Sequence, residues 1–305
     1  MKVGTTIMRG LLRALGALPL GFHYAWAGFF SFLMKDVIRY RRDVVMTNLS
    51  RSFPDRKYHE LKEIAGLFYK HFGRIIAEAI WFGGCRNPER LRRQHLVEYS
   101  NIGDFEEVYS GSRGVVVLNS HFGNWELLGG CLNYDYREDA RMPEGLVPDD
   151  VIFVYKRLEN RMWDELIGEN RCAPVLYLDY KGYVSSEKIL RYALANKDRK
   201  LIVNMLTDQC PYRNSTSDDT VEFMHQKTKT MLGGASMACK FGWPVFYMSL
   251  YPVEKGRYEW RFTEIVRDAS LMTPHQIMTE YYALLQKDLE EKPWCYLWTH
   301  KRWKK

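Results

Sequence analysis

The sequence predicts an α/β fold, a central and mostly parallel sheet flanked by helices, behind an apolar amino-terminal helical segment at residues 1–38. Two observations predict it. Short apolar runs of strand length alternate with stretches in which apolar residues recur at helical spacing, the pattern of a sheet covered by helices. The opening segment, by contrast, is the most apolar part of the chain and is followed at once by a basic cluster.

That opening segment runs from Ile7 to about Met34 and reads Leu11-Leu12, Leu15, Leu18, Leu20, Tyr24-Ala-Trp-Ala-Gly-Phe-Phe and Phe32-Leu-Met. Arg9, Arg13, Pro19 and His23 interrupt it, so no clean run of about 20 apolar residues offers itself as a spanning helix. No small-residue cleavage site closes a short apolar core, which argues against a signal peptide. Pro19 divides the segment in two. Three readings remain: an interfacial helix with Arg9 and Arg13 snorkelling, a kinked membrane helix, or a hairpin buried in the domain. Lys35 and Arg39-Tyr-Arg-Arg42 follow, a basic flank suited to anionic headgroups. Segment and flank together favour attachment to an anionic membrane surface, on its cytoplasmic side.

The remainder, 39–305, reads as one catalytic domain. Leu61, Ile64, Ala65, Phe68, Ile75, Ile76 and Ile80 recur at helical spacing between Tyr58 and Phe82. Gly114-Val-Val-Val-Leu-Asn-Ser120 is a buried strand, with a helix expected from Trp125 to Leu132. Val151–Tyr155 is a second strand, followed by helix through Arg171. Leu201–Leu206 is a third strand, Pro244–Tyr251 a fourth and Tyr258–Phe262 a fifth, and a helix from Pro274 to Leu289 closes the chain. There is neither a repeat of 20 to 50 residues nor a low-complexity linker.

Composition narrows the class. At 46% hydrophobic and 27% charged residues over 305 positions, the chain is globular rather than disordered. A formal charge of +7 suggests an acidic partner: anionic lipid, nucleic acid or an acidic protein. Nine Trp and twenty Tyr suit a membrane–water interface as well as ordinary packing. The six cysteines contain no C-x-x-C pair, so neither a disulfide scaffold nor a zinc site is indicated, and no metal is expected.

The chemistry concentrates at His121-Phe-Gly-Asn-Trp-Glu126. Five residues apart, the two side chains would diverge by about 140° on a regular helix. They become a pair only if a turn brings them together. His121 stands at the end of a strand, where open α/β sheets place their ligands. Gly123 permits a tight bend and Asn124 is a suitable N-cap, which puts Glu126 in the first turn, able to fold back toward the imidazole. A carboxylate there would fix the ring tautomer and stabilise an imidazolium. With no serine or cysteine nucleophile attached, such a base suits attack by a substrate hydroxyl on an activated acyl group. A packed turn histidine with a capping Glu is the competing reading, and spacing alone does not decide between them.

His121-x4-Glu126 after a strand resembles the first motif of the glycerolipid acyltransferases, with the fold of glycerol-3-phosphate acyltransferase. Its wider setting resembles the late lipid A acyltransferases, a branch of the lysophospholipid acyltransferase superfamily, over nearly the whole chain. Tyr40-Arg-Arg-Asp-Val-Val-Met-Thr-Asn48-Leu with Phe53-Pro54 resembles that family's amino-terminal signature. Val154-Tyr-Lys156, Asn160 and Arg171 resemble a second block, and Asp208-Gln209 a third. Trp298-x-His300-Lys-Arg302-Trp-Lys304 resembles the closing signature.

The resemblance implies transfer of an acyl chain from acyl carrier protein, or less often coenzyme A, to a lipid-linked hydroxyl at the bacterial inner membrane. The acyl thioester is a co-substrate and no cofactor is implied. His121 would take the hydroxyl proton, and Arg171 would stabilise developing charge or hold a phosphate. Read from the residues alone, Arg171 is a helix-end arginine in a surface salt bridge. Asp208 would either orient Arg171 or cap a turn. Asn124, Lys156, Asn160 and Gln209 join the candidate substrate contacts. The chain departs from the family at Lys156, where Arg is usual, at Arg161, where Pro is usual, and at Phe223-Met224-His225, where Gly is usual. His225 is therefore either an acceptor contact or an exposed loop residue.

The acceptor is expected to be a lipid A precursor. A lysophospholipid, a glycolipid or an aryl polyene-type lipid is the alternative, as is a membrane-associated scaffold that has lost activity. The terminal Trp294, Trp298 and Trp303 among basic residues would suit nucleic acid by stacking and charge. The apolar amino terminus points to lipid instead, so no nucleic acid partner is expected.

Overall fold

The computed structural model describes residues 2–134, 147–211 and 219–303; Lys304 of the closing signature lies outside them. Helices α1 (Lys2–Ala17) and α2 (Leu20–Phe32), a π-helical turn (Leu33–Val37), α3 (Arg42–Ser52), α4 (Tyr58–Phe82) and α5 (Pro88–Arg92) precede the sheet. Then come β1 (Val97–Tyr99), α6 (Ile102–Gly111), β2 (Gly114–Asn119), β3 (Val151–Tyr155), α7 (Arg161–Arg171), β4 (Tyr183–Ser185), α8 (Ile189–Ala195) and β5 (Leu201–Leu206). A hairpin of β6 (Thr220–Phe223) and β7 (Gln226–Lys229), α9 (Gly233–Phe241), β8 (Val245–Glu254), β9 (Arg257–Val266) and α10 (Pro274–Glu291) complete the chain.

The main sheet has the order β1-β9-β8-β2-β5-β3-β4. Every neighbouring pair is parallel except β8–β9, which is antiparallel. The mostly parallel α/β sandwich anticipated from the alternating runs is therefore present. Its centre is apolar on both faces, as a sheet covered by helices requires. Val116, Leu118, Leu201 and Val203 enter a core shared with α3, α9, α10 and the first turns of α4. Val115, Val117 and Ile202 face the other way, into a core with α6, β9 and the last turns of α4. Helix α4 thus touches both layers, passing the end of the sheet where the functional motif lies.

The amino-terminal segment breaks at Pro19, as the missing amide hydrogen dictates. α2 packs on α4 through a narrow seam of Leu20, His23, Ala27 and Ser31. Gly73 lets the two backbones meet: a Cβ there would lie 2.7 Å from the Ala27 carbonyl oxygen. Phe22, Trp26, Phe29 and Phe30 point outward and are exposed, so this is not a buried hairpin. Among the described residues no helix is long and apolar enough to cross a membrane. Arg9 does not snorkel: its Nε donates to both oxygens of Glu169 at 3.0 Å, and its Nη2 reaches Glu165 as well, tying α1 to α7.

The helix expected from Trp125 to Leu132 is instead a 3-10 turn, Trp125–Gly130. Gly129 sits against the Arg171 backbone, where a Cβ would be 1.8 Å from the carbonyl oxygen.

Candidate active site

Strand register brings the site together. β2 and β5 are parallel neighbours with Asn119 opposite Leu206. His121 and Asp208 each lie two residues beyond that pair, so both emerge at the same carboxyl-terminal edge of the sheet. Thr207 N donates to Asn119 O at 3.1 Å and carries the ladder one step further. His121 Nδ1 is 2.7 Å from Asp208 Oδ1. A carboxylate accepts, so Nδ1 carries the proton and Nε2 presents the lone pair. The Gln209 amide donates to that lone pair at 3.1 Å. The side chain of His121 is 12% exposed and that of Asp208 only 1%. Burial pushes the Asp208 carboxyl up, but the electrostatic attraction and hydrogen bond of the His121 Nδ1–H outweigh it and hold the group below the usual carboxylate range.

Glu126 does not make the contact with the imidazole that its spacing suggested. Its carboxylate is gripped by Arg171, with Nε at 2.8 Å and Nη2 at 2.6 Å, a bidentate fork. Trp125 Nε1 donates to it at 2.9 Å. Arg171 reaches it from the last turn of α7, and its Nη1 donates weakly to Tyr183 Oη at 3.4 Å. Burial raises the Glu126 carboxyl, yet the guanidinium and then the nearby His121 charge bring it below its ordinary value. The carboxylate on His121 is therefore Asp208, expected either to orient Arg171 or to cap a turn, and Glu126 pairs with Arg171 instead. The reason is geometric. The register of β2 on β5 brings Asp208 level with His121, whereas Glu126 lies in the 3-10 turn beyond the strand. The indole of Trp125 packs edge-on to the imidazole at 4.9 Å between centroids.

The motif's backbone is held from behind. Gly123 has φ +68°, and a Cβ would lie 1.8 Å from the Leu250 carbonyl oxygen, so only glycine fits. Its amide donates to Cys295 O at 2.9 Å and its carbonyl accepts from His71 Nε2 at 3.0 Å. Asn124 caps the 3-10 turn as expected, its Oδ1 accepting from Glu126 N at 3.2 Å. Its Nδ2 donates at 2.7 Å to Glu78, a fully buried carboxylate on α4. Tyr258 Oη and Tyr24 Oη, from β9 and α2, each donate to Glu78 at 2.8 Å. Burial raises the Glu78 carboxyl against those three hydrogen bonds.

Glu78 was not singled out in the sequence, although the signal existed: it falls three residues after Ile75 and four before Phe82 on the apolar stripe. His71 occupies the same stripe three residues after Phe68.

The closing signature cages the other side. Asn48 Nδ2 donates to Trp298 O at 2.8 Å and to His300 O at 2.9 Å, joining the first signature to the last. Tyr281 Oη donates to Asn119 O at 2.8 Å, and buried Arg302 donates to Tyr282 Oη at 2.9 Å. Three candidates stand elsewhere. Asn160 caps α7, accepting from the amides of Met162 and Trp163 at 3.0 and 3.3 Å. Lys156 is exposed one residue past β3. His225 is exposed at the tip of the β6–β7 hairpin, where it and Met224 adopt the left-handed backbone of a two-residue turn. Among the described residues, no group of three or more His, Cys, Asp or Glu could hold a metal ion.

A histidine at the carboxyl edge of a parallel sheet, its Nδ1 held by a buried carboxylate, is an arrangement able to take up a proton at Nε2. The family model for bacterial lipid A biosynthesis acyltransferases matches residues 2–305, and the chain belongs to that family. It is an acyltransferase. No curated protein matches the chain.

Proposed function

We propose that the enzyme moves a fatty acyl chain from an acyl thioester, of acyl carrier protein or coenzyme A, to a hydroxyl of a membrane lipid, a lipid A precursor. The observation that carries this reading is the state of His121: Asp208 on Nδ1 leaves Nε2 as the base. The acceptor hydroxyl would displace Gln209 from Nε2. As its oxygen bonds to the thioester carbonyl carbon, its proton passes to Nε2. Collapse then breaks the C–S bond, and the imidazolium returns that proton to the leaving thiolate. Asp208 stabilises the transient imidazolium. The Glu126–Arg171 pair stands beside the imidazole, and Arg171 supplies positive charge near the developing oxyanion.

Location at the cytoplasmic face of the bacterial inner membrane belongs to this proposal. Outward Phe22, Trp26, Phe29 and Phe30, with the basic corner Arg39-Tyr40-Arg41-Arg42 after them, support an interfacial seat for α2. The test is mass spectrometry of membrane lipids with and without the gene, paired with acyl transfer by purified His121→Ala. A missing acyl chain names the acceptor. Lipids unchanged by loss of the gene would leave the inactive scaffold, and full turnover by His121→Ala would overturn His121 as the base.

A further inference from the structure

A cavity of about 730 Å³ opens between α1, the turn joining α4 to α5, and the end of α7, outside the His121 site. Arg9, Gly10, Arg13, Arg86, Glu169 and Leu176 line it. Three guanidiniums thus face one carboxylate, and that carboxylate is already taken by Arg9. Glu165 adds to the Arg9 pair from beside the lining. Arg13 and Arg86 have no carboxylate partner among the described residues.

Their proximity is built in. Gly16 and Gly84 meet backbone to backbone, such that a Cβ on Gly84 would lie 2.1 Å from the Gly16 carbonyl oxygen. Arg90 Nη2 fastens the end of α1 by donating to Leu18 O at 2.9 Å. Arg13 lies three residues before Gly16, and Arg86 two after Gly84, so this contact presents the two guanidiniums to one space. Partial burial first, then the charges of Arg13 and Arg9, hold Arg86 below the ordinary arginine value, with Glu169 opposing in part. Like charges left this close, without a counterion of their own, suit a doubly or singly charged oxyanion.

We propose that this groove is a phosphate-binding site, Arg13 and Arg86 forking the oxygens of a phosphate ester while Arg9 closes the wall. On α1 the exposed Val3, Ile7 and Leu11 form a stripe at four-residue spacing, and Gly10 of the lining lies beside that stripe on the helix. An amphiphile could lay its tail on the stripe with its phosphate in the groove, which makes a lipid headgroup the fitting source and free phosphate the other. The lipid source rests on the interfacial seat proposed above; the phosphate site does not rest on acyl transfer.

The test uses the full chain and phosphatidylcholine vesicles containing phosphatidic acid. Arg13→Gln/Arg86→Gln should bind them about tenfold more weakly than wild type. Arg191→Gln/Lys197→Gln, the same charge loss on and just after α8, should bind as wild type. Arg13→Lys/Arg86→Lys, keeping charge but not the fork, should fall between, and an unchanged thermal midpoint excludes misfolding. If inorganic phosphate displaces the wild type from the vesicles, the groove takes either source; if it does not, the headgroup is the ligand. Equal weakening in the α8 control, or none in the arginine pair, overturns the site. Absence of acyl transfer by the wild type, with its vesicle binding intact, would count against the proposed function alone.

Discussion

His71 gives the sharpest test of how the motif is held. It is 4% exposed, and its Nε2–H donates to the carbonyl of Gly123, the residue on which the His121 turn pivots. Burial, opposed by that hydrogen bond and reinforced by Arg74, pushes its pKa down to about 4 from 6.5. A base depressed in the folded state stays neutral there while the unfolded chain takes up a proton. Stability is therefore intact above about pH 6.5 and is lost as pH falls toward about 4. At 1.36 kcal/mol per unit, the loss is about 3 kcal/mol, a large share of a typical domain's stability. His71→Gln keeps an amide donor for the Gly123 carbonyl and does not titrate. Urea titrations followed by tryptophan fluorescence, from neutral to acid, should show the variant gaining on wild type by about 3 kcal/mol. A gap that stays level across that range would mean the imidazole is protonated in place, and the reasoning from burial would fail.

Other consequences can be measured directly. Asp208→Asn keeps an acceptor for His121 Nδ1 but removes the charge that stabilises an imidazolium, so kcat should fall on the order of 10³-fold with acceptor KM little changed; a KM effect alone would point to substrate binding. Glu78→Leu leaves the donors of Tyr24, Asn124 and Tyr258 unpaired and should cost several kcal/mol in a denaturation series. Glu78→Gln should instead gain on wild type as pH rises above about 4.3, because a carboxyl raised in the folded state stabilises below that point and loses ground above it. Asn48→Ala removes one buried and one half-buried hydrogen bond to the closing signature and should lower stability by about 1–3 kcal/mol, read as a lower urea midpoint at unchanged slope.

Much of the fold was legible because its central strands are apolar runs. Val115–Leu118, Val151–Phe153 and Leu201–Val203 could scarcely be anything else, and the helical stripe from Leu61 to Ile80 is equally plain. The edge strands β1 and β4 were not legible, being three residues each and fixed only by their neighbours β9 and β3. The β6–β7 hairpin was not legible either, because its strands alternate over only four residues each among charged neighbours. At the site, His121, the Asn124 cap and the strand-end position followed from local rules. The partner of His121 did not, because His121 and Asp208 are 87 residues apart in sequence and meet only through the register of β2 on β5. Local spacing favoured Glu126, the carboxylate nearest in the chain, over the one nearest in space. Arg171 likewise meets Glu126 across 45 residues, so neither ion pair is visible to a reading that works within one turn.

His71 and Glu78 lie seven residues apart on α4, two turns along one face, and each grips a successive residue of the motif: the Gly123 carbonyl and the Asn124 amide. The helix therefore acts as a jig, with two pegs set at a fixed pitch of about 10.5 Å. Inserting one residue between them would rotate the second peg by about 100° and release Asn124 while Gly123 stays fastened. A designer grafting the six-residue motif onto another parallel sheet would have to carry this helix along. A sequence search for working copies would do better asking for His-x6-Glu on an amphipathic helix upstream than for the short motif by itself.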